Sequence, residues 1–325
     1  MNLRHNLGLL YYLAPHMRVV KNRWGFCISV LLGFSRYKVK INQMKSLVFE
    51  KKQFHILLPL LGILSYATHY SLTSKNMVKV SFDSKNWFTL PLTGFSKEDE
   101  NLIVLLYQGI KNGANFVTQD IPADRKKTIK IIDVDGKKIV ETDNGIKFFL
   151  ELIHPGNTII ETFINDIHSI ARNDNWENKT IIDIGAECGD TALYYANLGA
   201  RVYSFEPIKN NFDSIQENLK LNPDLSKKIT PINAAIGTDG KAKFYLNPES
   251  PDIGASFVYN KYDSSAITTI VDGFSLKSAL KKFKIEHVDL LKMDCKGCEF
   301  FLTKDDFVNI DKVKIEYLVT SEGKK

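Results

Sequence analysis

The spacing of apolar positions changes character near residue 180. From there to Ala186, KTIIDIGA carries an almost unbroken apolar run, the mark of a parallel strand covered on both faces. DTALYYANLGA reads as a helix capped at Asp190-Thr191 and stopped at Gly199. RVYSFEP is a second strand. Ile208, Phe212, Ile215 and Leu219 then fall on one face of a helix that ends at Asn222-Pro223. ITPINAAIG reads as a third strand, and a polar insert with strand-like pieces KFYL, SFVY and ITTIV follows. The helix SLKSALKKF, the strand VDLLKMD, a short helix near CEFFLTKDD and the strand VKIEYLV complete the series. Strand and helix alternate, which predicts an α/β fold with a mainly parallel sheet.

Upstream the pattern is mixed. TIKIIDVDGKKIVETDNGIKFFLEL predicts strands that turn at Asp135-Gly136 and Asn144-Gly145, dipeptides suited to tight hairpins. ETFINDIHSIARN places Phe163, Ile164, Ile167 and Ile170 at helical spacing. KEDENLIVLLYQGIK reads as a helix. ILLPLLGILSYA, interrupted by Pro59 and Gly62, is too short to span a bilayer and predicts a buried or interfacial helix pair. The expected division is a basic, helical N-terminal region over 1–125 and a second domain over 126–325 that begins with the strand-helix element.

Composition narrows the class. The 325 residues are 44% hydrophobic and 25% charged, as in a globular protein rather than a disordered one. Four cysteines are too few for a disulfide scaffold, so a reducing, cytoplasmic setting is expected. The net charge of +6 is unevenly placed: no Asp or Glu precedes Glu50, while Arg4, Arg18, Lys21, Arg23, Arg36, Lys38, Lys40 and Lys45 do. A solvated basic face is the ordinary reading of such a run, and peripheral contact with an anionic membrane surface is the functional one.

The candidate chemistry gathers where ligands bind such sheets, beyond the carboxyl ends of the strands. The first strand ends in DIGAECGD, where Gly185 and Gly189 permit a tight turn and a close ligand. A dinucleotide site wants G-x-G-x-x-G, but Glu187 stands where the second glycine belongs and would face a pyrophosphate with negative charge. Asp183, Glu187 and Asp190 suit a cationic ligand better, and S-adenosylmethionine carries a sulfonium and an ammonium. Glu206 closes the second strand, where a carboxylate accepts hydrogen bonds from ribose hydroxyls.

DIGAECGDTALYYANLGARVYSFEP, NAAIG and VDLLKMDCKGCEFFL together resemble the FkbM-type family of S-adenosylmethionine-dependent methyltransferases, over about Ile129 to Val319. The resemblance implies a Rossmann-like class I methyltransferase sheet and O-methylation of a hydroxyl on a glycan, lipid-linked sugar or small molecule. It implies a cofactor site of Asp183, Gly185, Ala186, Glu187, Gly189, Asp190, Glu206, Pro207, Asn233 and Ala234. Asp294 is the first candidate for the general base and Glu299 the second; either could instead hold the turn. Were the two close together, a divalent ion such as Mg²⁺ would fit, but Lys296 stands where the family pattern has Glu. Glu161 and His168 are lesser candidates, from a segment that can fold over the cofactor in this family.

Cys295 and Cys298 form a C-x-x-C at variable positions of the same element. With no second C-x-x-C, and with His287 placed before the strand, neither a zinc site nor a redox centre is expected; the pair reads as small residues packing at a tight turn. The alternative functions are a nucleic-acid methyltransferase, which the DCKG after the fourth strand argues against, a dehydrogenase, and a non-catalytic module that keeps the cofactor. The fold family usually continues past the fifth strand with a helix and two more strands. The chain stops at VTSEGKK, so a sheet short of its last strands is expected; either the sequence is truncated, which would impair activity, or the N-terminal region covers the open flank. Oligomeric state is not readable from the sequence.

Overall fold

The computed structural model describes residues 3–42, 46–74, 76–119, 127–170, 175–246 and 267–316. The chain divides into two compact units, Met1–Gly145 with Ile153–Asn165, and Ile146–Leu152 with Asp166–Lys325.

The first unit opens with helices Leu3–Leu13 and Arg23–Leu31 and an antiparallel hairpin, Arg36–Lys40 with Ser46–Glu50. The apolar run expected as a helix pair is one helix, Phe54–Tyr66, which carries Pro59 inside it and is buried along most of its length. A three-stranded antiparallel sheet follows, then helix Lys97–Lys111. That helix starts at Ser96, whose side chain accepts from the Asp99 amide while the Asp99 carboxylate accepts from the Ser96 amide. Strands Thr128–Val134 and Lys137–Glu141 pair antiparallel across Asp135-Gly136, both at positive φ, as the dipeptide predicts.

The expected boundary at 125/126 is not where the packing divides the chain. The hairpin belongs with the first unit because Glu98 accepts hydrogen bonds from both the backbone and the side chain of Lys138. The helix read over 161–173 is instead a wide-turned helix, Gly156–Ile164, in the same unit. Asp166, at φ 52°, lies outside helical geometry just beyond its end, and residues 171–174 lie outside the described residues.

The second unit contains strands β1 (Thr180–Ile184), β2 (Arg201–Phe205) and β3 (Ile229–Ile232), with helices α1 (Asp190–Asn197) and α2 (Lys209–Lys220) between them. Next come β4 (Ala235–Ile236), β5 (Gly240–Leu246), β6 (Ile267–Phe274), helix α3 (Leu276–Phe283), β7 (Val288–Met293) and β8 (Ile310–Ile315). Five strands pair in the order β3-β2-β1-β7-β8, all parallel. The chain runs outward from β1 to β3 and returns to β7 on the other side of β1. The strand order therefore reverses between β1 and β7, which is where open parallel sheets take ligands.

Central β1 and β7 are buried almost throughout, which explains their near-continuous apolar sequence, while the outer strand β8 is largely exposed. Ile182, Ile184, Phe205, Leu276, Leu291 and Met293 form the core between the sheet and α3. The segment read as one third strand is two. β3 joins the parallel sheet, while β4 joins β6 and β5 in a small second sheet. SFVY lies outside the described residues. Residues 146–152 belong to this unit because α2 holds them. The Asn222 side chain bonds both the amide and the carbonyl of Lys147, and Asn218 Oδ1 accepts from the Phe149 amide at 3.0 Å.

Candidate active site

The loop leaving β1 is built from backbone hydrogen bonds. The amides of Gly185 and Ala186 both donate to Phe205 O at the end of β2, and the Asp294 amide donates to Ile184 O. Gly185 lies so close to β7 that a Cβ there would stand 1.9 Å from Asp294 O. Gly189, at φ 87°, caps α1 with no side-chain hydrogen bond, so Asp190 is the first residue of the helix rather than its cap.

Side chains then fill the carboxyl ends of the strands. Glu206 is 4% exposed. Its two carboxylate oxygens accept from the amides of Glu187 and Ile208, each at 2.9 Å, so the acid that ends β2 ties down the β1 loop. Asn233 donates from Nδ2 to Glu206 O at 2.8 Å and to Pro207 O at 3.2 Å, which fixes the turn after β2 from below β3. Ala234 beside it is buried. Pro207 and Asn233 also border an open groove of about 300 Å³, lined further by Lys241 and Asp272 of the second sheet.

A polar row crosses the sheet one residue below the loop. The register sets Asp183 of β1 beside Ser204 of β2 and Lys292 of β7, and Lys292 beside Lys314 of β8. Lys292 Nζ lies 3.1 Å from Asp183 Oδ1, with both side chains almost wholly buried. The approach is off the hydrogen-bonding direction: among the described residues neither Asp183 oxygen has an aligned donor. Burial opposes the Lys292 charge, but Asp183, Asp294 and Asp190 outweigh it and hold its pKa above the ordinary lysine value. Burial raises the Asp183 pKa against the pull of Lys292. Sequence reasoning did not single out Lys292. A lysine within the apolar stretch Leu290–Met293 of the strand was the available signal.

The acids of the loop crowd one another. Burial, with Asp190 and Glu206 nearby, pushes Glu187 up to about 8. Burial pushes Glu206 up to about 7, against the amides of Ile208 and Glu187 and the Asn211 side chain, which favour its charged form. These acids bind protons in the folded protein at pH values where the unfolded chain has lost them. Stability of this unit is therefore expected to fall as pH rises from about 5 to about 8. Melting temperature should drop by roughly 5–10 °C across that range, and Glu187→Gln should flatten the profile. Melting curves at several pH values check this; a profile that rises with pH contradicts it.

Asp294 follows β7 and is partly exposed, with Lys296 Nζ 3.6 Å from Oδ1. Glu299 points back into its own turn, where Oε2 accepts from the Gly297 amide at 2.7 Å. Of the two candidate bases, Asp294 is the one at the mouth of the β1–β7 reversal, and Glu299 holds the turn beside it. Cys295 and Cys298 are joined by a disulfide, which corrects their reading as merely packed neighbours, and Cys298 lies within the core. Their sulfurs converge with the Glu299 carboxylate, but sulfurs bonded to each other are not thiolate ligands for a metal. His168 is buried, with Nε2 3.3 Å from Thr191 Oγ1. Burial, with Lys292 and Lys314 nearby, lowers its pKa to about 3, so it is neutral and a weak base. Glu161 belongs to the first unit.

The run of glycine loop, buried acids and the Asp294 turn coincides with a known domain. Residues 183–322 match the methyltransferase FkbM domain. The FkbM match starts at Asp183 and covers the glycine loop after β1, the Glu206 turn, the second sheet and the β7 turn, so this segment is similar to methyltransferases of that family. It leaves out residues 129–182, which the sequence resemblance had included. A search of curated proteins finds no match to the chain. Among the described residues, no helix is long and apolar enough to cross a membrane.

Proposed function

We propose that the second unit is a Rossmann-like, class I methyltransferase domain that binds S-adenosylmethionine and methylates a hydroxyl on a glycan, lipid-linked sugar or small molecule. The observation that carries this reading is the cluster of buried acids at the strand-order reversal. Asp183, Asp190 and Glu206 are buried around a glycine loop that carries the half-buried Glu187, and burial raises the pKa of Asp183, Glu187 and Glu206. Such a pocket gains from a cation and repels a pyrophosphate. The donor set fits S-adenosylmethionine: Glu206 for the ribose, the loop from Gly185 to Asp190 for the amino acid part, and Pro207, Asn233 and Ala234 beside the adenine. When bound, that cofactor supplies a methyl group on a positively charged sulfur.

The protein's own work is positioning, exclusion of water and removal of one proton. The Gly185 turn and the backbone bonds to Phe205 fix the loop before any ligand arrives. Asp294 accepts the acceptor hydroxyl's proton, and Lys296 Nζ, 3.6 Å from its Oδ1, helps to orient it. Glu299 holds the Gly297 turn that sets the direction of this segment. Asp294→Asn is expected to reduce transfer at least about a hundredfold while leaving donor affinity within about twofold. Incorporation of labelled methyl into a panel of sugars and small alcohols, beside calorimetric binding of the donor, checks both numbers. Full transfer by the variant would remove Asp294 as the base.

A further inference from the structure

We propose that the two N-terminal helices dock this protein on an anionic membrane surface. The inference is independent of the chemistry of the second unit. Helix Leu3–Leu13 presents Leu7 and Tyr11 outward, one turn apart, and Tyr11 is 77% exposed. Helix Arg23–Leu31 and the residues after it present Trp24, Ile28, Leu32 and Phe34, with Trp24 78% exposed. The opposite sides of the same helices are already used: Leu13, Phe26 and Val30 are fully buried. The exposed apolar positions are thus a second stripe that the unit's own core does not consume. Trp24, Ile28 and Leu32 recur every fourth residue, as expected of a face laid along an interface.

Charge decides the occupant. No acid occurs before Glu50, and Arg4, Arg18, Lys21 and Arg23 are exposed around the stripe. Among the described residues none of these four forms an ion pair with a carboxylate. The adjoining hairpin buries Tyr37 and Val39 and turns Arg36, Lys38 and Lys40 to solvent. A lipid surface satisfies both features at once: tryptophan, tyrosine and aliphatic side chains enter the headgroup boundary while lysine and arginine meet anionic headgroups. A nucleic acid would use the cations and leave the Trp24–Ile28–Leu32 stripe in water. The helices are too short to span a bilayer, so the contact is parallel to the surface.

Flotation of the full chain with lipid vesicles tests this. Vesicles with about one-third phosphatidylserine should carry the protein up, pure phosphatidylcholine should carry far less, and added salt should release it. Trp24→Glu with Ile28→Glu should lower partitioning at least about tenfold, with an unchanged melting curve because both positions face solvent. Lys21→Gln and Arg23→Gln should each lower it about fivefold. Four results would overturn the proposal: no flotation with anionic vesicles, equal flotation of the Trp24/Ile28 variant, self-association that the same variant abolishes, or RNA binding that outcompetes vesicles and ignores that variant.

Discussion

Gly185→Ala is expected to unfold the second unit or to leave it without donor binding. Two independent effects add. The residue has φ 78°, a conformation that costs an alanine roughly 1–2 kcal/mol. The added methyl would also stand 1.9 Å from Asp294 O and 2.7 Å from Asp294 C. Both are backbone atoms at the end of β7, whose amide is held by Ile184 O, so no side chain can swing away to make room. Relief requires β1 and β7 to part at the point where the strand order reverses. A loss on the order of 4 kcal/mol or more is expected, in the range reserved for such strain. Gly240→Ala is the control: φ there is 96°, but nothing lies within 4 Å, so only the backbone cost should appear. Denaturant unfolding of both variants checks this. Equal stability of the two would mean the loop does not approach β7 as closely as described.

Lys292→Met should be almost as damaging. The substitution keeps an apolar chain of similar length in β7 and removes the buried cation that faces Asp183, leaving carboxylates against one another in a water-poor site. Breaking a buried pair from one side typically costs about 3–5 kcal/mol, because the remaining charge is uncompensated. Asp183→Asn in the same protein should recover much of the loss, since the orphaned charge goes with it. The double-mutant cycle separates pairing from packing. A Lys292→Met protein as stable as the parent, or a double variant no better than the single, would show that Lys292 does not balance Asp183.

Local patterns carried most of what the sequence predicted. β1, α1, β2 and α2 follow from apolar spacing and glycine stops, and the hairpin at Asp135-Gly136 follows from turn chemistry. Those signals involve neighbours in the chain, so one sequence suffices to read them. The acid-lined loop was legible for the same reason, since Asp183, Gly185, Glu187 and Glu206 lie at the ends of strands that periodicity locates.

What escaped was non-local. The division of the chain depends on Glu98 gripping Lys138 and on Asn218 and Asn222 gripping Lys147 and Phe149, contacts between residues 40 to 75 positions apart. The third strand reads as continuous, yet Asn233 turns back to Glu206 and Pro207 and sends Ala235–Ile236 to another sheet. Lys292 becomes meaningful only once the parallel register sets it beside Asp183. The role of Glu299 depends on a bond to an amide two residues away, which spacing permits and only the turn geometry reveals.

The central claim is that the β1 turn and its buried acids are made for a cationic methyl donor. Calorimetric titration with S-adenosylmethionine near pH 7, in two buffers of different ionisation enthalpy and with NAD as the comparison ligand, tests it most directly. Binding the donor's cationic part against the Glu187 loop, with its ribose on Glu206, should expel protons that burial leaves on these acids, so S-adenosylmethionine should bind with a buffer-dependent heat that reports proton release, while NAD gives no heat. Saturable binding of NAD with none of S-adenosylmethionine would contradict the account.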